Sequence, residues 1–423
     1  MVKLPRYDTR SYIPRPAISR HRAGSPRRLV KASRGVPKRS VVSPFLSPGR
    51  YPTIARMTLG PAPLPNPPPA FLIRAVLALK RFIHRIEDAI TPPQLAVFEM
   101  TIGVAVTQIL GAVARHRIPD VLVEKGPMTS DELATRLGTD PDFTHRMMRV
   151  LAARDVFRLR TDGRWENTRL SNALRSDTSA RSREWVEYFA SESNCRSWLD
   201  FERSLRDGHN AFERVHGKSV WEWFDAHPHE RETFAQAMMG ITIADAPTLA
   251  TIYPFGEVQR LCDVGGGRGT LLSEILIRHP HLRGVLCDAP GVLESARVLC
   301  TDRGVIDRIE FVPGSFFDSV PEGADAYSMK NILHDWDDAR CVKILKTVRR
   351  AMNPGTRLVV AESLVERNDD GPGVLADIHM GMVCSDGRER GREDFRRLFE
   401  ASGFRMARVF PWPTTSVIEG IAV

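Results

Sequence analysis

The segment from Leu261 to Gly269, Leu-Cys-Asp-Val-Gly-Gly-Gly-Arg-Gly, is rich in glycine and lies where a predicted strand turns into a helix. Glycines at such a turn leave the backbone bare, so that a cofactor can approach it where no side chain would fit. Gly265 and Gly267 have the spacing of a dinucleotide-binding loop, but Thr270 stands where that fingerprint has Gly or Ala. The segment therefore predicts a cofactor-binding loop that lacks the usual phosphate-binding pattern.

Two acidic residues accompany this loop. Asp263, on the strand just before it, would repel a pyrophosphate but could accept a hydrogen bond from a cationic amino group. Asp288 lies 19 residues beyond Gly269, at the end of the next predicted strand, where a carboxylate can hold both hydroxyls of a ribose. The plainer alternative is a tight turn followed by a surface acid. Because the loop, the spacing and the strand-end position agree, we favour a cofactor site.

Strands and helices alternate from residue 260 to the end of the chain, which predicts a doubly wound, mostly parallel α/β sheet with its ligand at the carboxyl ends of the strands. Strands are predicted at 261–264, 284–287, 309–312, 326–329 and 358–361. Helices are predicted at 270–279, 292–300, 339–352 and 393–401. Segments 404–410 and 416–423 predict a terminal hairpin that inserts an antiparallel strand into this domain, which we assign to residues 251–423.

Residues 71–177 are predicted to form a helical domain with a winged helix. The helix at 94–116 is apolar almost all round, which indicates burial by a second chain. The helix at 71–90 is basic and amphipathic; it could lie on a membrane, but packing on a partner or on the next helix is favoured. Helices at 129–138 and 140–154, followed by a hairpin, complete the winged-helix pattern. The second of these helices mixes arginines with aspartates, so a dimerising or structural role is favoured over DNA binding.

The charge of the chain is concentrated at its beginning. The net charge is +9, but residues 1–56 hold 14 Lys/Arg against one acid, so the remaining 367 residues carry 46 basic and 50 acidic groups. A basic surface for nucleic acid is therefore not expected on the folded part. Residues 1–70 contain 14 of the 30 prolines and few large apolar residues, which predicts a disordered tail.

Cysteine usage and hydropathy indicate a cytoplasmic protein. The six cysteines include no Cys-x-x-Cys pair and no Cys/His cluster at metal spacing, which argues against a disulfide scaffold or a zinc ribbon and suits a reducing compartment. No apolar run reaches the ~18–20 residues that a membrane span needs. No signal-peptide pattern follows the first residue.

Six motifs, in this order, identify a family resemblance. They are Asp263–Gly269, Cys287-Asp-Ala-Pro-Gly291, Pro313-Gly-Ser-Phe-Phe317, Met329-Lys-Asn-Ile-Leu-His-Asp-Trp336, Val360-Ala-Glu362 and Gly387-Arg-Glu389. Over roughly residues 94–423 the chain resembles the class I, S-adenosylmethionine-dependent O-methyltransferases of the plant caffeate and acetylserotonin type and their bacterial secondary-metabolite relatives. The resemblance implies a Rossmann-like sheet, a winged-helix domain that serves dimerisation, a homodimer, and S-adenosylmethionine as cofactor.

The resemblance also assigns cofactor contacts. It implies that Gly265 borders the methionine part, that Asp288 holds the ribose, that Phe316 lines the adenine, and that Lys330 lies near the adenine or the ribose. The position before Phe316 is usually an acid in the family, whereas this chain has Ser315. A hydroxyl can still accept from the adenine amine, but more weakly than a charged group, by about 1 kcal/mol.

The same resemblance points to His334 as the general base. His334 follows the carboxyl end of a predicted strand, and a histidine with a pKa near ~6.5 is suited to take the proton of a phenol whose pKa is near ~10. Glu362 and Glu389 resemble the flanking acids that hold the imidazole and stabilise the imidazolium. No metal is expected. Met238, in a helical layer over residues 178–250 that could roof a pocket, and His379 and Met380 are predicted to face the acceptor.

These predictions converge on a methyltransferase that moves a methyl group to a hydroxyl, phenolic in our interpretation, of an aromatic metabolite. One alternative keeps the cofactor but changes the chemistry, to a decarboxylase, a hydroxylase or an N-methyltransferase. A second alternative is a non-enzymatic winged-helix regulator with the sulfonium as its ligand. Retention of His334 and both glutamates argues against the first, and the mild negative charge of the folded part argues against the second.

Overall fold

The computed structural model describes residues 59–367 and 373–423. Most of the predicted disordered tail, residues 1–58, lies outside the described residues. The N-terminal helices are α1 (Ala70–Ile90), α2 (Pro93–Thr101), α3 (Gly103–Arg115), α4 (Ile118–Lys125), α5 (Ser130–Leu137) and α6 (Pro141–Ala152).

The single helix predicted over 94–116 is wrong in one respect, because the chain breaks it into α2 and α3, whose axes differ by 41°. At the end of α2 the hydroxyl of Thr101 donates to the carbonyl oxygen of Phe98 at 2.7 Å. A side-chain hydroxyl that bonds back to the preceding turn competes with the backbone ladder and bends helices. Among the described residues no single helix is long and apolar enough to cross a membrane; α2 and α3 meet that test only as a bent pair.

The predicted winged helix is confirmed by α5, α6 and a two-stranded wing, β1 (Phe157–Leu159) with β2 (Trp165–Asn167). Helix α5 begins with a capping box, in which Thr129 and Glu132 bond each other's backbone N–H groups. Its other end is Gly138 at φ +67°, a conformation that glycine adopts without steric cost. These local signals explain why the sequence located the module well.

Seven helices connect the wing to the sheet. They are α7 (Arg169–Asn172), α8 (Ser182–Phe189), α9 (Glu192–Leu199), α10 (Phe201–Asp207), α11 (Ala211–His216), α12 (Val220–Ala226) and α13 (Pro228–Ile252). Helix α13 is 25 residues long and packs on α8.

The predicted α/β sheet with its terminal hairpin is confirmed. Its strands are β3 (Arg260–Val264), β4 (Arg283–Asp288), β5 (Ile309–Pro313), β6 (Ala326–Lys330), β7 (Arg357–Glu362), β8 (Phe404–Phe410) and β9 (Ser416–Ala422). Their order is β5-β4-β3-β6-β7-β9-β8; the first five are parallel, and β9 enters antiparallel between β7 and β8.

The helices around the sheet are α14 (Thr270–Arg278), α15 (Pro290–Asp302), α16 (Asp338–Arg350), α17 (Gly373–Val383) and α18 (Arg392–Glu400). Helix α17 was not among the predicted elements. Each face of the sheet carries its own buried apolar core. The site must therefore lie at a strand end, since both faces are filled.

Candidate active site

The carboxyl ends of the parallel strands bring the predicted cofactor residues to one edge of the sheet. The glycine loop follows β3, Asp288 ends β4, Lys330 ends β6 and Glu362 ends β7. Because these strands are parallel neighbours in the order β4-β3-β6-β7, their last residues lie side by side. This edge is where ligands bind in open α/β sheets.

The glycine loop has a backbone that other residues would strain. Gly265 and Gly267 have φ values of +67° and +57°. A Cβ atom on Gly265 would lie 2.6 Å from Cδ1 of Ile332 and 3.4 Å from Cε1 of Phe316. Gly265 therefore leaves room that a methyl group would take, as a loop that holds a cofactor against its backbone requires.

Asp288 is tied to the same loop. One of its carboxylate oxygens accepts from the backbone N–H of Gly267 at 2.8 Å, and the other accepts from the N–H of Ala289 at 2.7 Å. Burial raises the pKa of Asp288, and the two N–H groups oppose that rise. Each oxygen keeps a further lone pair, so the fixed carboxylate can still accept from two hydroxyls.

Asp263 lies beneath the loop, with an exposed fraction of 2%. Oδ1 accepts from the hydroxyl of Ser328 at 2.7 Å, while Oδ2 is buried without a hydrogen-bond partner among the described residues. A Cβ atom on Gly266 would come within 2.5 Å of that oxygen. Burial raises the pKa of Asp263 to about 7. Its expected contact with a cationic amino group stays a prediction.

The residues predicted to lie near the adenine differ in burial and in their contacts. Ser315 is exposed, and its hydroxyl accepts from the backbone N–H of Phe317 at 3.2 Å. Phe316 is half-buried, with its ring centroid 5.1 Å from that of Phe317. The ammonium group of Lys330 lies 3.5 Å from Oδ2 of Asp245 on α13. Sequence reasoning missed Asp245, because nothing near it in the chain marks it as a partner of β6.

The predicted catalytic residues come together at the end of β6 and β7. Nδ1 of His334 lies 3.1 Å from Oε1 of Glu389 and 3.4 Å from Oε2 of Glu362. The other oxygen of Glu362 accepts from the backbone N–H groups of Ile332 and Leu333 at 3.0 and 2.9 Å. Glu362 thereby holds both the imidazole and the turn that carries it.

A third carboxylate, which sequence reasoning missed, completes this cluster. Oδ1 of Asp335 lies 3.6 Å from Nε2 of His334. Asp335 lies two residues before Asp337, which caps α16. The adjacency of Asp335 to His334 in sequence was the one available signal.

The electrostatics of the cluster differ from the sequence-based expectation. Burial lowers the pKa of His334, but the carboxylates of Glu362, Asp335 and Glu389 outweigh burial and raise this pKa to about 10. Burial also raises the pKa of Asp335 to about 6 and raises that of Glu362. The expectation of an imidazole near ~6.5 is therefore wrong for the ligand-free protein. Protons in this cluster are shared among closely coupled groups.

His334, Glu362 and Glu389 also have the spacing of a possible metal site. Each offers one ligand atom, and these atoms lie within 4.8 Å of one another among the described residues. The same distances suit an imidazole proton held between two carboxylates. The absence of a metal from the reaction stays a prediction.

The predicted acceptor residues lie among aromatic side chains. Nε2 of His379 lies 3.1 Å from the Tyr188 hydroxyl, and its ring stacks on Trp198 with centroids 6.0 Å apart. Burial lowers the pKa of His379 to about 4, so this imidazole is neutral near pH 7. Met380, which packs on the same cluster, and Met238 on α13 are half-buried. Sequence reasoning did not single out Tyr188 or Trp198, because most aromatics are core residues.

The fold and the cofactor edge define a Rossmann-like methyltransferase of class I. Residues 198–405 match the family model of the O-methyltransferase domain, and residues 98–177 match that of the O-methyltransferase dimerisation domain. The chain belongs to the O-methyltransferase family, whose members use S-adenosylmethionine. It is an S-adenosylmethionine-dependent O-methyltransferase.

Named relatives and solved structures agree with this family. The chain is 36% identical over 295 residues to the mitomycin biosynthesis 6-O-methyltransferase of Streptomyces lavendulae, covering 70% of this chain and 84% of that protein. The structure of a mitomycin 7-O-methyltransferase superposes with a TM-score of 0.75 at 32% identity, covering 78% of this chain and 98% of that one. An O-methyltransferase of neocarzinostatin biosynthesis, crystallised with S-adenosylmethionine and 2-hydroxy-5-methyl naphthoic acid, superposes with a TM-score of 0.67 at 29% identity, covering 75% and 96% of the chains.

Proposed function

We propose that the chain is a homodimeric enzyme of the cytoplasm that methylates a phenolic hydroxyl of an aromatic small molecule, with His334 as general base. The observation that carries the proposal is the position of one imidazole, at the end of β6, between the carboxylates of Glu389 and Glu362. Such carboxylates orient the ring and stabilise the imidazolium that forms when the base takes a proton. The six free cysteines suit a reducing compartment.

The residues at the sheet edge fit the cofactor. A bare backbone at Gly265 and Gly267, and a fixed carboxylate at Asp288, would hold the amino-acid part and the ribose. Phe316 and Lys330 would border the adenine side, with Ser315 as a weak acceptor. Asp263 would support the loop from below. When bound, S-adenosylmethionine supplies an electrophilic methyl group on a sulfonium.

His334 moves the proton in this proposal. In the neutral ring Nδ1–H donates to Glu389 and Nε2 is left to accept the proton of the acceptor hydroxyl. The resulting imidazolium is stabilised by Glu362, Glu389 and Asp335, which surround the ring on both nitrogens. The imidazole releases that proton to solvent before the next turnover. No side chain here forms a covalent bond to the acceptor.

We assign the acceptor pocket to the space between the helical layer of residues 178–250 and the sheet edge. Met238, His379 and Met380 lie on the two helices, α13 and α17, that border it. Aromatic and methionine side chains favour flat, apolar acceptors, and they bind them without demanding one shape. One named relative belongs to mitomycin biosynthesis and another is crystallised with a naphthoic acid, which supports an aromatic acceptor class.

The proposal is tested by calorimetry followed by product analysis. We expect wild type to bind S-adenosylmethionine and Asp288→Ala to lose at least tenfold in affinity, whereas Asp307→Ala, at an exposed acid, binds as wild type does. A panel of phenols, naphthols and phenazines is then incubated with the enzyme and the cofactor. We expect a product heavier by one methylene group, made by wild type and not by His334→Ala.

Either half of this experiment can overturn the proposal. Full methyl transfer by His334→Ala would remove its role as the base. A product lighter by carbon dioxide would favour the decarboxylase alternative, a product heavier by one oxygen atom would favour the hydroxylase, and methylation only of amines would favour the N-methyltransferase. The comparisons favour O-methyl transfer over these alternatives and over a regulator.

A further inference from the structure

Helix α1 lies outside the part of the chain that the family shares. The match to the O-methyltransferase dimerisation domain begins at residue 98, after α1 has ended at Ile90. The mitomycin 7-O-methyltransferase structure is covered over 98% of its length by only 78% of this chain. The function of α1 therefore needs an explanation from this chain's own residues.

One face of α1 is apolar and uncovered. Residues follow one another at about 100° around a helix, which places its large apolar side chains, with two exceptions, on one side. Their exposed fractions run from 40% to 78%: Phe71, Leu72, Val76, Leu79, Phe82, Ile83, Ile86 and Ile90. We call this set the α1 face. Eight neighbouring side chains make a patch larger than the scattered apolar residues of an ordinary surface.

Within residues 59–367 and 373–423, no part of the protomer buries this face. No residue of α1 is buried, and the two exceptions, Ile73 and Leu77, are half-buried on the opposite side of the helix. Charged residues, among them Arg81 and Asp88, share that opposite side. A helix that packs on its own domain turns its apolar side inward, whereas α1 turns its apolar side outward.

The segment that precedes α1, residues 59–66, is tied to the catalytic domain: the backbone N–H of Leu64 donates to Glu274 at 3.1 Å, and Arg303 donates to the carbonyl oxygen of Ala62 at 2.7 Å. Glu274 and Arg303 form a buried ion pair at 2.5 Å. The other end of α1 runs through Pro92 into α2. Helix α1 therefore begins close to a segment that is anchored on the catalytic domain.

We propose that the α1 face packs against a second copy of this chain and extends the dimer interface beyond the family's dimerisation domain. Exposed apolar side chains continue from α1 along the chain into α2 and α3. They are Leu95, Val97, Phe98, Met100 and Val104. Part of this surface lies within the matched dimerisation domain. The inference rests on the proposed homodimer and not on the methyl-transfer chemistry.

A second copy fits the α1 face better than a membrane does. Helix α1 carries Arg74, Lys80, Arg81 and Arg85 against Glu87 and Asp88, a basic balance that an anionic membrane also accepts. The second copy is favoured because the exposed apolar surface runs on into the matched dimerisation domain. The exposed apolar side chains are also spread over three helices with a bend between α2 and α3. A symmetric dimer buries the same surface on both copies, so one apolar face supplies both sides of the interface.

The test uses the full chain and measures subunit exchange between two fluorescently labelled populations. Ile83→Glu places a charge in the centre of the α1 face without lowering helix propensity. We expect its exchange rate, and its dimer dissociation constant, to rise at least tenfold. Arg81→Glu, on the opposite side of α1, changes the charge more and is expected to exchange as wild type does. Circular dichroism and the melting temperature confirm that both variants are folded.

A second readout does not depend on weakening the dimer. A photoreactive benzoylphenylalanine in place of Phe82 is expected to give a covalent dimer on irradiation, and the same group in place of Arg81 is not. Unchanged exchange in Ile83→Glu together with no crosslink from position 82 overturns the inference while leaving the dimer intact. A wild type that is monomeric overturns both the inference and the proposed homodimer. Wild type is also floated with phosphatidylserine vesicles. If wild type floats, Ile83→Glu does not, and subunit exchange is the same in both, the partner of the α1 face is a membrane and the inference is overturned.

Discussion

Nδ1 of His334 lies 3.1 Å from Oε1 of Glu389, a residue 55 positions later in the chain. Oε2 of Glu389 is buried without a hydrogen-bond partner among the described residues, and so is Oε2 of Glu362. Buried carboxylate oxygens without donors are costly, and a proton on the imidazole offsets that cost. The high pKa of His334 therefore follows from its contact with this pair of carboxylates.

The first prediction concerns the pH dependence of kcat/KM, which reports the free enzyme. Because the pKa of His334 is raised to about 10, the ring is protonated at neutral pH and activity rises with pH well above 6.5. Glu389→Gln removes a negative charge that stabilises the imidazolium, so the pKa of His334 falls and the rising limb moves to lower pH, by about 1 unit. The maximal rate falls as well.

Initial rates from pH 6 to 10.5 measure this shift. Glu393→Gln, at an exposed glutamate paired with Arg396, is the matched control and leaves the limb in place. A limb that moves to higher pH in Glu389→Gln, or does not move, contradicts the electrostatic coupling of Glu389 to His334.

A second prediction concerns Asp245, which accepts from the Thr415 hydroxyl at 2.8 Å and lies 3.5 Å from the Lys330 ammonium group. Asp245→Asn keeps an acceptor for the threonine but removes the charge that holds Lys330 at the end of β6. We expect KM for S-adenosylmethionine to rise about threefold to tenfold with kcat little changed, as for a loss of uniform binding. Asp225→Asn, at an exposed residue, should change neither constant. A fall in kcat at unchanged KM would remove Lys330 from cofactor binding.

The third prediction concerns the glycine loop. Gly265→Ala adds a methyl group at φ +67° that would lie 2.6 Å from Cδ1 of Ile332. We expect at least a tenfold loss of cofactor affinity in calorimetry, because backbone strain of about 1–3 kcal/mol falls on the binding loop. The control, Gly291→Ala, meets nothing within 4 Å at an ordinary φ and should bind normally. Wild-type affinity in Gly265→Ala would show that the cofactor does not approach this backbone.

The fourth prediction concerns stability. Arg303→Ala leaves Glu274 buried, with Arg278 as its remaining cationic partner at 2.6 Å, and removes the donors to the Gly60 and Ala62 carbonyls. Breaking a buried ion pair from one side costs about 3–5 kcal/mol, so urea unfolding should begin at a clearly lower concentration. Arg396→Ala, in an exposed pair, should cost less than about 1 kcal/mol. Equal losses in the two variants would contradict the importance of burial here.

Residues close together in the chain were enough to predict most of the elements, their order and the cofactor loop. The glycine segment, the winged-helix caps and the alternation of strands and helices are each decided by residues within one turn or one strand of each other. The break between α2 and α3 escaped prediction because the apolar residues continue across it, with Met100, Ile102 and Val104. Helix α17 escaped because its apolar run, Gly373–Val383, has no clear helical period.

The folding of the chain sets the chemistry of the cluster and the partners of the cofactor residues. It brought Glu389 and Glu362 to one nitrogen of His334, placed Asp335 at the other, and paired Lys330 with a residue 85 positions earlier. These relations join elements that are far apart in the chain. A pKa depends on burial and on charges within a few ångströms in space, and neither is encoded in the spacing of residues along a sequence.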